Sequence, residues 1–139
     1  MQLAIELARK GEGKVNPNPM VGAVIVRDGI VIGEGYHEKY GEGHAEVNAF
    51  KSLKEDPSEA TMYVTLEPCS MCAGALINSR IKKVYIGASD KKTGAVGSVF
   101  NLLEDYTFNH KVEYEKGILQ EDCENLLKQF FKALRKMKK

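Results

Sequence analysis

Apolar residues recur at helical spacing in four stretches of the chain. In residues 1–10, leucines and alanines stand four apart, which predicts a helix that ends at Gly11. The same spacing predicts helices over 45–53, from near Cys69 onward, and over 120–138. The last of these has an apolar stripe formed by Cys123, Leu126, Leu127, Phe130, Phe131 and Leu134.

Shorter apolar runs alternate with these helices and predict five strands. They cover residues 20–26, 30–33, 61–66, 83–88 and 111–115. Asp28-Gly29 is a hairpin turn, so the first two strands are expected to be antiparallel. A helix separates the later strands, which requires right-handed crossovers and parallel pairing there. The chain is therefore predicted to be an α/β protein with a mixed five-stranded sheet.

Two further segments complete the pattern. Residues 35–43 are bounded by glycines and lead straight into His44, so this loop is expected to wall a pocket. Residues 90–98 form a loop of glycines and small side chains, and 99–103 are expected to make a short helical turn. We found no linker and no internal repeat, which predicts a single domain over residues 1–139.

Charge and composition narrow the function classes. The chain has 139 residues, 43% of them hydrophobic, and a formal net charge of +1. A net charge this small gives the protein no overall positive field that would attract nucleic acid. The last predicted helix nevertheless carries a local basic cluster, which consists of Lys128, Lys132, Arg135, Lys136, Lys138 and Lys139. This cluster is either a solvated helix end that suits the helix dipole or a set of phosphate contacts.

The cellular compartment can be inferred from three features that the sequence lacks. No apolar run approaches the roughly eighteen residues of a membrane-spanning helix, and no signal-peptide pattern is present. Three cysteines do not make a disulfide framework, and Cys123 lies on an apolar helix face, where it is expected to pack in the core. We therefore expect no membrane contact and a reducing cytoplasm.

His44, Cys69 and Cys72 supply one imidazole and two thiols. Three protein ligands leave one corner of a zinc tetrahedron for water, as in catalytic sites. Cys69 and Cys72 are three apart, so a helix that begins near Cys69 brings both sulfurs to one face of its first turn. The free N–H groups there favour thiolates. Each residue alone would be an ordinary surface histidine or buried thiol, but together they predict a zinc site.

Glu46 stands beside these ligands without being one of them. It lies two residues after His44, so on a helix the two side chains point in different directions, and we expect this helix to meet the site end-on with His44 in its first turn. A carboxylate beside a metal-bound water can take its proton and pass it to a leaving group. H-x-E followed by P-C-x-x-C is the signature of zinc deaminases. Glu46 is thus the predicted catalytic residue.

The paired motif and the order of elements resemble the cytidine-deaminase superfamily over essentially the whole chain. The resemblance implies a three-layer α-β-α fold with zinc held at two helix N-termini. The first half, with NPNPMVG at 16–22 and GYHEKYG at 35–41, resembles the pyrimidine deaminase domain of riboflavin biosynthesis. The second half, with EPCSMCAGAL at 67–76 and GASDKKTGA at 87–95, resembles bacterial tRNA adenosine deaminase.

Two departures bear on the substrate. Riboflavin-type deaminases have a longer Thr-Pro-Pro-Cys stretch before the last ligand, where this chain has only Ser70-Met71. The tRNA enzymes have asparagine where this chain has His37. The resemblance favours wobble adenosine in a tRNA anticodon loop, converted to inosine. The alternative is a free pyrimidine, nucleoside or nucleotide, including the riboflavin-pathway aminopyrimidine, and a noncatalytic zinc or RNA-binding module is a third reading.

Asn18, His37 and Asp90 are the expected substrate-binding residues. Asn18 resembles a substrate-binding asparagine of both relatives, since an amide can donate and accept toward a base edge; otherwise it is a turn residue beside Pro19. His37 occupies a base-contacting position of the tRNA enzymes. Asp90 resembles an aspartate that contacts the target ribose, or it caps the turn that follows it.

Association of two copies is also expected from the resemblance, since relatives of both halves form dimers. The apolar segment 73–77 and the small-residue loop 94–98 offer a surface that two copies could share. We therefore expect a homodimer.

Overall fold

The computed structural model describes residues 1–15, 18–39, 41–104 and 108–137, without the side chains of Leu134 and Met137. The elements in chain order are α1 (Gln2–Arg9), β1 (Gly22–Arg27), β2 (Ile30–Tyr36), α2 (Ala45–Lys51), β3 (Thr61–Leu66), α3 (Ser70–Asn78), β4 (Lys83–Ala88), β5 (Glu113–Lys116) and α4 (Gln120–Met137). The predicted α/β class is confirmed. The largest difference in length is in β2, which continues three residues past the predicted end at Gly33.

The five strands form one mixed sheet in the order β2-β1-β3-β4-β5. β1 is antiparallel to both of its neighbours, whereas β3, β4 and β5 are parallel. Asp28 and Gly29 both have positive φ, at 51° and 77°, as a tight hairpin turn requires. Because β1 is reversed, β2 and β3 run in the same direction and end at the same edge of the sheet. The segments that follow β2, β3 and β4 therefore meet at this edge.

Helices cover both faces of the sheet. Strand residues of one face pack with α2 and α3 in the larger core cluster, which includes Ala23, Ile25, Ala45, Ala49, Met62, Val64, Ala73, Leu76, Val84 and Ile86. The opposite face packs with α1 and α4 in two smaller clusters. The alternation of strand side chains between the two faces explains the division. The predicted three-layer α-β-α arrangement is confirmed.

Two glycines let helices lie directly on the strands. A Cβ on Gly35 of β2 would meet the backbone of α2 at Ala49, and a Cβ on Gly22 of β1 would meet the backbone of α1 at Ala4. Only glycine fits such a close approach. The contact at Gly35 fixes how α2 leaves the end of β2 and so places its first residues.

Two local expectations were wrong. Residues 99–103 form no helix; instead Val96 and Asn101 make an isolated antiparallel bridge. The reason is that Val99 N and Leu102 N donate to the carbonyl oxygens of Gly94 and Ala95, which precede the segment. In the stripe of α4, Phe130 is 5% exposed but Phe131 is 43% exposed, since its ring lies at the edge of the covered face. The predicted burial of Leu134 concerns a side chain outside the described part of the structure.

Cys123 and the absence of a membrane-spanning helix were two further expectations from the sequence. Cys123 is buried with Leu126 and Ala88 in the core beneath α4, as predicted. In the described ranges of the chain all three cysteines are unpaired. No helix within those ranges has the length and apolar character needed to cross a bilayer.

Candidate active site

Two helices begin at the sheet edge where β2 and β3 end. His44 is the N-cap of α2 and Cys69 is the N-cap of α3, both with extended backbone. Their carbonyls accept the first helical hydrogen bonds, from Asn48 N at 3.0 Å and from Ala73 N at 2.9 Å. The expected helix starts are confirmed, with one correction. His44 precedes the first turn of α2 and does not lie in it, because its loop arrives in an extended conformation.

The three predicted ligands converge. His44 Nδ1 lies 3.5 Å from Cys72 Sγ and 3.7 Å from Cys69 Sγ, and the three ligand atoms all lie within 4.8 Å of one another. A tetrahedral zinc with bonds of about 2.3 Å to sulfur and about 2.0 Å to nitrogen requires nitrogen–sulfur separations of about 3.6 Å. The observed separations match this value. A group of one imidazole and two thiols at this spacing is suited to hold zinc.

The two thiols differ in their proton affinity. A hydrogen bond with Cys72 lowers the pKa of the Cys69 thiol to about 5, with further help from the backbone N–H groups of Met71 and Cys72 and against the effect of burial. The same hydrogen bond, together with burial, raises the pKa of Cys72 above its ordinary value. The hydrogen bond between the two thiols therefore favours the thiolate at Cys69, and a bound cation would favour the thiolate form of both.

Glu46 lies in the first turn of α2 and is buried, with 4% of its surface exposed. Burial raises the pKa of its carboxyl to about 6, although a backbone hydrogen bond and the neighbouring His44 oppose the shift. The carboxyl faces Cys72, so it is adjacent to the ligand group and takes no part in it. A carboxyl that both holds and releases a proton near neutrality is suited to acid–base work.

A pocket of about 270 Å³ opens over these groups. Its lining consists of Asn18, Pro19, Val21, His37, His44, Ala45, Glu46, Leu66, Glu67, Cys69, Asp90 and Thr93. Every residue that the sequence marked for metal, catalysis or substrate is in this lining, except Cys72, which is buried behind it. Among the described residues the lining contains no lysine or arginine.

Asn18 and His37 are paired across the pocket wall. His37 Nδ1 lies 3.1 Å from the carbonyl oxygen of Gly43, which can only accept, so this nitrogen donates. In the neutral ring Nε2 is then the acceptor, and Asn18 Nδ2 lies 3.4 Å from it. The amide nitrogen of Asn18 then donates to this ring nitrogen, and its carbonyl oxygen is the acceptor of the pair.

Asp90 follows β4 and lies in the same wall. Its carboxylate accepts from the backbone N–H groups of Lys92 at 3.0 Å and Thr93 at 3.2 Å, and from the Thr93 hydroxyl at 2.8 Å. Asp90 therefore caps the turn, which was one of its two readings. Its contact with a ribose stays a prediction.

Sequence reasoning missed two residues that build the site. Asn48 Nδ2 donates to the carbonyl oxygens of Tyr36 at 2.8 Å and Gly43 at 3.3 Å, which ties α2 to the end of β2. Its place four residues after His44, on the same helix face, was an available signal. The second is Glu67, whose carboxylate accepts hydrogen bonds from the 90–98 loop. No pattern of neighbouring residues in the sequence predicts this contact.

A profile of the MafB19-like deaminases matches residues 1–135. The chain belongs to the MafB19-like deaminase family. The expectation of a deaminase of the cytidine-deaminase superfamily is thereby confirmed, and so is the fold that the resemblance implied.

The relatives are of the two kinds that the sequence suggested, and both kinds match over nearly the whole chain. The tRNA-specific adenosine deaminase of Haemophilus influenzae is 44% identical, over 100% of this chain and 85% of its own length. Riboflavin biosynthesis protein RibD of Actinobacillus pleuropneumoniae is 47% identical over 94% of this chain, which spans only 35% of that protein. A solved tRNA:A34 deaminase has a TM-score of 0.77 and 31% identity, covering 91% of this chain and 96% of its own.

Replacing one ligand tests the metal group. We expect Cys72→Ala to lower the metal content of the purified protein at least about tenfold and to lower its melting temperature, because metal affinity is coupled to the folded site. Elemental analysis and thermal unfolding measure the two effects. Cys123→Ala, a buried thiol outside the site, is the control and should keep its metal. A metal-replete, stable Cys72→Ala protein would place the third ligand elsewhere.

Proposed function

We propose that the chain is a zinc-dependent hydrolytic deaminase that converts the wobble adenosine of tRNA to inosine. One observation carries the proposal: His44, Cys69 and Cys72 stand at zinc-ligand spacing beside the buried Glu46, at the base of a pocket sized for one ring system. Three ligands leave a coordination position for the reaction. Near-complete mutual coverage with the adenosine deaminase relative supports the choice of substrate.

The roles of the residues follow from their positions. His44, Cys69 and Cys72 would hold the zinc, which when bound would supply Lewis-acid activation of water. Glu46 takes the proton of the attacking water and returns it to the departing ammonia, so that water and adenosine give inosine and ammonia. Val21 and Leu66 line the pocket with apolar surface and limit the access of other water.

The size and charge of the pocket support a substrate base that is part of a nucleic acid. At about 270 Å³ it is slightly below the range of drug-sized pockets, about 300–1,000 Å³. The absence of lysine and arginine from its described lining suits an uncharged base, with phosphates held outside. A base extruded from the anticodon loop satisfies both conditions. We assign Asn18 and His37 to the base and Asp90 to its ribose.

A second candidate is an aminopyrimidine of the riboflavin pathway, and the Asn18–His37 pair favours it. In that pair the amide nitrogen of Asn18 donates to His37, so the carbonyl oxygen remains as the acceptor of a residue that lines the pocket. A pyrimidinone carries a ring N–H that can donate to this oxygen, whereas the ring nitrogens of adenine only accept. The lack of a cation for a phosphate in the described lining weighs against this candidate.

Glu46→Gln tests the chemistry and the substrate together. We expect the variant to keep its zinc, about one per chain, and to lose activity by about 10²–10⁴-fold, since the amide cannot shuttle protons. Ammonia release and inosine formation are measured on tRNA, and ammonia release on cytidine, adenosine, guanine and aminopyrimidines. Wild-type turnover confined to an aminopyrimidine would favour the second candidate. Full activity of the variant would disprove the assigned mechanism.

The basic end of α4 offers phosphate contacts. Lys128, Lys132, Arg135 and Lys136 are exposed along this helix. If they bind RNA phosphates, activity on tRNA should fall as salt rises, and truncation after Leu134 should weaken RNA binding and reduce the salt slope. Filter binding and turnover at several salt concentrations measure both. Zinc content is the control and should not change. Unchanged binding and an unchanged salt response would favour a small-molecule substrate.

We also propose that the protein is cytoplasmic, since its unpaired thiols suit a reducing compartment. A further proposal is that it forms a homodimer. The surface suggested by the sequence needs revision, because Ala73, Leu76 and Ile77 are buried in the core of the chain itself. The exposed apolar residues of this region are Met71, Val99 and Phe100, and a hydrogen bond from Ala95 N to Pro68 O joins their two segments.

Light scattering at micromolar concentration tests the dimer. The wild type should show the mass of two chains, because a partner would bury the apolar side chains of Met71, Val99 and Phe100. Val99→Asp should shift the mass toward one chain. Ile30→Asp, at a residue that is 66% exposed in β2, is the matched control and should leave the mass unchanged. A wild-type mass of one chain would contradict the dimer.

A further inference from the structure

Glu67 is buried at the end of β3, immediately before Pro68 and Cys69, and its side chain has no exposed surface. Five donors converge on its carboxylate. They are Asp90 N at 3.2 Å, Val96 N at 2.9 Å, Ser98 N at 3.1 Å, the Ser98 hydroxyl and Lys116 Nζ at 3.0 Å. Four of the five belong to one segment, the loop of residues 90–98.

Such a carboxylate is stable in the interior only if it is neutralised and fully hydrogen-bonded. Lys116 of β5 supplies the opposite charge, and its own side chain is 28% exposed. Both oxygens of the carboxylate are used: Oε1 accepts from Asp90 N, the Ser98 hydroxyl and Lys116 Nζ, and Oε2 accepts from Val96 N and Ser98 N.

The loop is shaped around this carboxylate. A Cβ on Gly94 would collide with the carboxylate of Glu67 and with the carbonyl of Asp90, so only glycine allows the loop to close there. Ala95 N also donates to the carbonyl of Pro68 at 2.9 Å. The loop is thus fastened to the two residues that lead into the ligand Cys69.

The consequence concerns the pocket. Asp90 and Thr93 of the loop line it on one side, and Cys69 lines it on another. We propose that Glu67 is a positioning residue, which holds the Asp90–Thr93 wall in fixed register with the metal ligands and thereby sets the affinity for the nucleoside substrate. Its carboxylate acts through the loop, since the side chain has no exposed surface. The kinetic part rests on the proposed deaminase function, whereas the order of the loop can be measured without substrate.

Glu67→Gln is the direct test. The amide keeps the size of the side chain, but its NH₂ group replaces one acceptor, so part of the loop loses its anchor and Lys116 loses its counter-charge. We expect tryptic cleavage after Lys91 and Lys92, both exposed in the loop, to rise about tenfold. KM should rise about tenfold while kcat changes less than about threefold, because a displaced wall weakens binding before it affects proton transfer. Zinc content should stay at the wild-type level.

Two comparisons separate positioning from a loss of general stability. Glu115→Gln removes the acid of the Lys83–Glu115 pair, 3.4 Å apart on the same sheet, and should change neither loop cleavage nor KM. Cleavage after Lys128 in α4 reports unfolding of the whole chain and should not rise with the loop sites. An equal rise at Lys128 in Glu67→Gln would mean that Glu67 is merely structural and would overturn the proposal.

Ser98→Ala is the second variant, for the case that Glu67→Gln does not fold. It removes only the hydroxyl donor from the carboxylate and should give a smaller increase in loop cleavage and in KM. Wild-type values of loop cleavage in a folded Glu67→Gln, or in Ser98→Ala if the first variant is unfolded, would overturn the proposal. If wild type lacks activity on tRNA, the proposed function fails, while the cleavage pattern still decides the role of Glu67.

Discussion

The ligand group of this protein depends on one geometric constraint: two helices must begin at the same sheet edge, with their first residues close enough to share an ion. The reversed strand β1 meets this constraint by separating β2 and β3, which then run in the same direction and end together. Gly35 lets α2 lie against β2, and Asn48 ties the start of α2 to the end of that strand. His44 and Cys69 are brought within 3.7 Å in this way.

Two buried carboxylates at this edge show how environment assigns different roles to the same chemical group. Burial raises the pKa of Glu46 to about 6. Glu67 is just as inaccessible, yet five donors hold it ionised, with its pKa below the ordinary value. A carboxyl with few partners can exchange a proton, whereas a saturated one can only hold structure in place.

The mixed resemblance of the chain has a physical counterpart in its pocket. The wall formed by Asn18 and His37 comes from the half that is similar to riboflavin-type deaminases, and the wall formed by Asp90 and Thr93 comes from the half that is similar to tRNA adenosine deaminases. The residues that could hold a metal ion lie in both halves, with His44 in the first and the two cysteines in the second. The hydrolytic deamination is therefore common to both candidate functions, and only the contacts around the substrate base distinguish an adenosine from an aminopyrimidine.

The amino-acid sequence alone determined the order of helices and strands, the mixed pairing and the ligand group with Glu46, because periodicity and motif spacing depend on residues close together in the chain. It did not determine the course of residues 99–103, which read as a helical turn. The backbone of that segment bonds to the loop before it, from Val99 N to Gly94 O and from Leu102 N to Ala95 O. That loop is in turn held by Glu67, which lies 29 positions before Val96 and 49 positions before Lys116. Only the packing of the tertiary structure brings such distant groups to one carboxylate, since no local pattern encodes a contact across separate strands and loops.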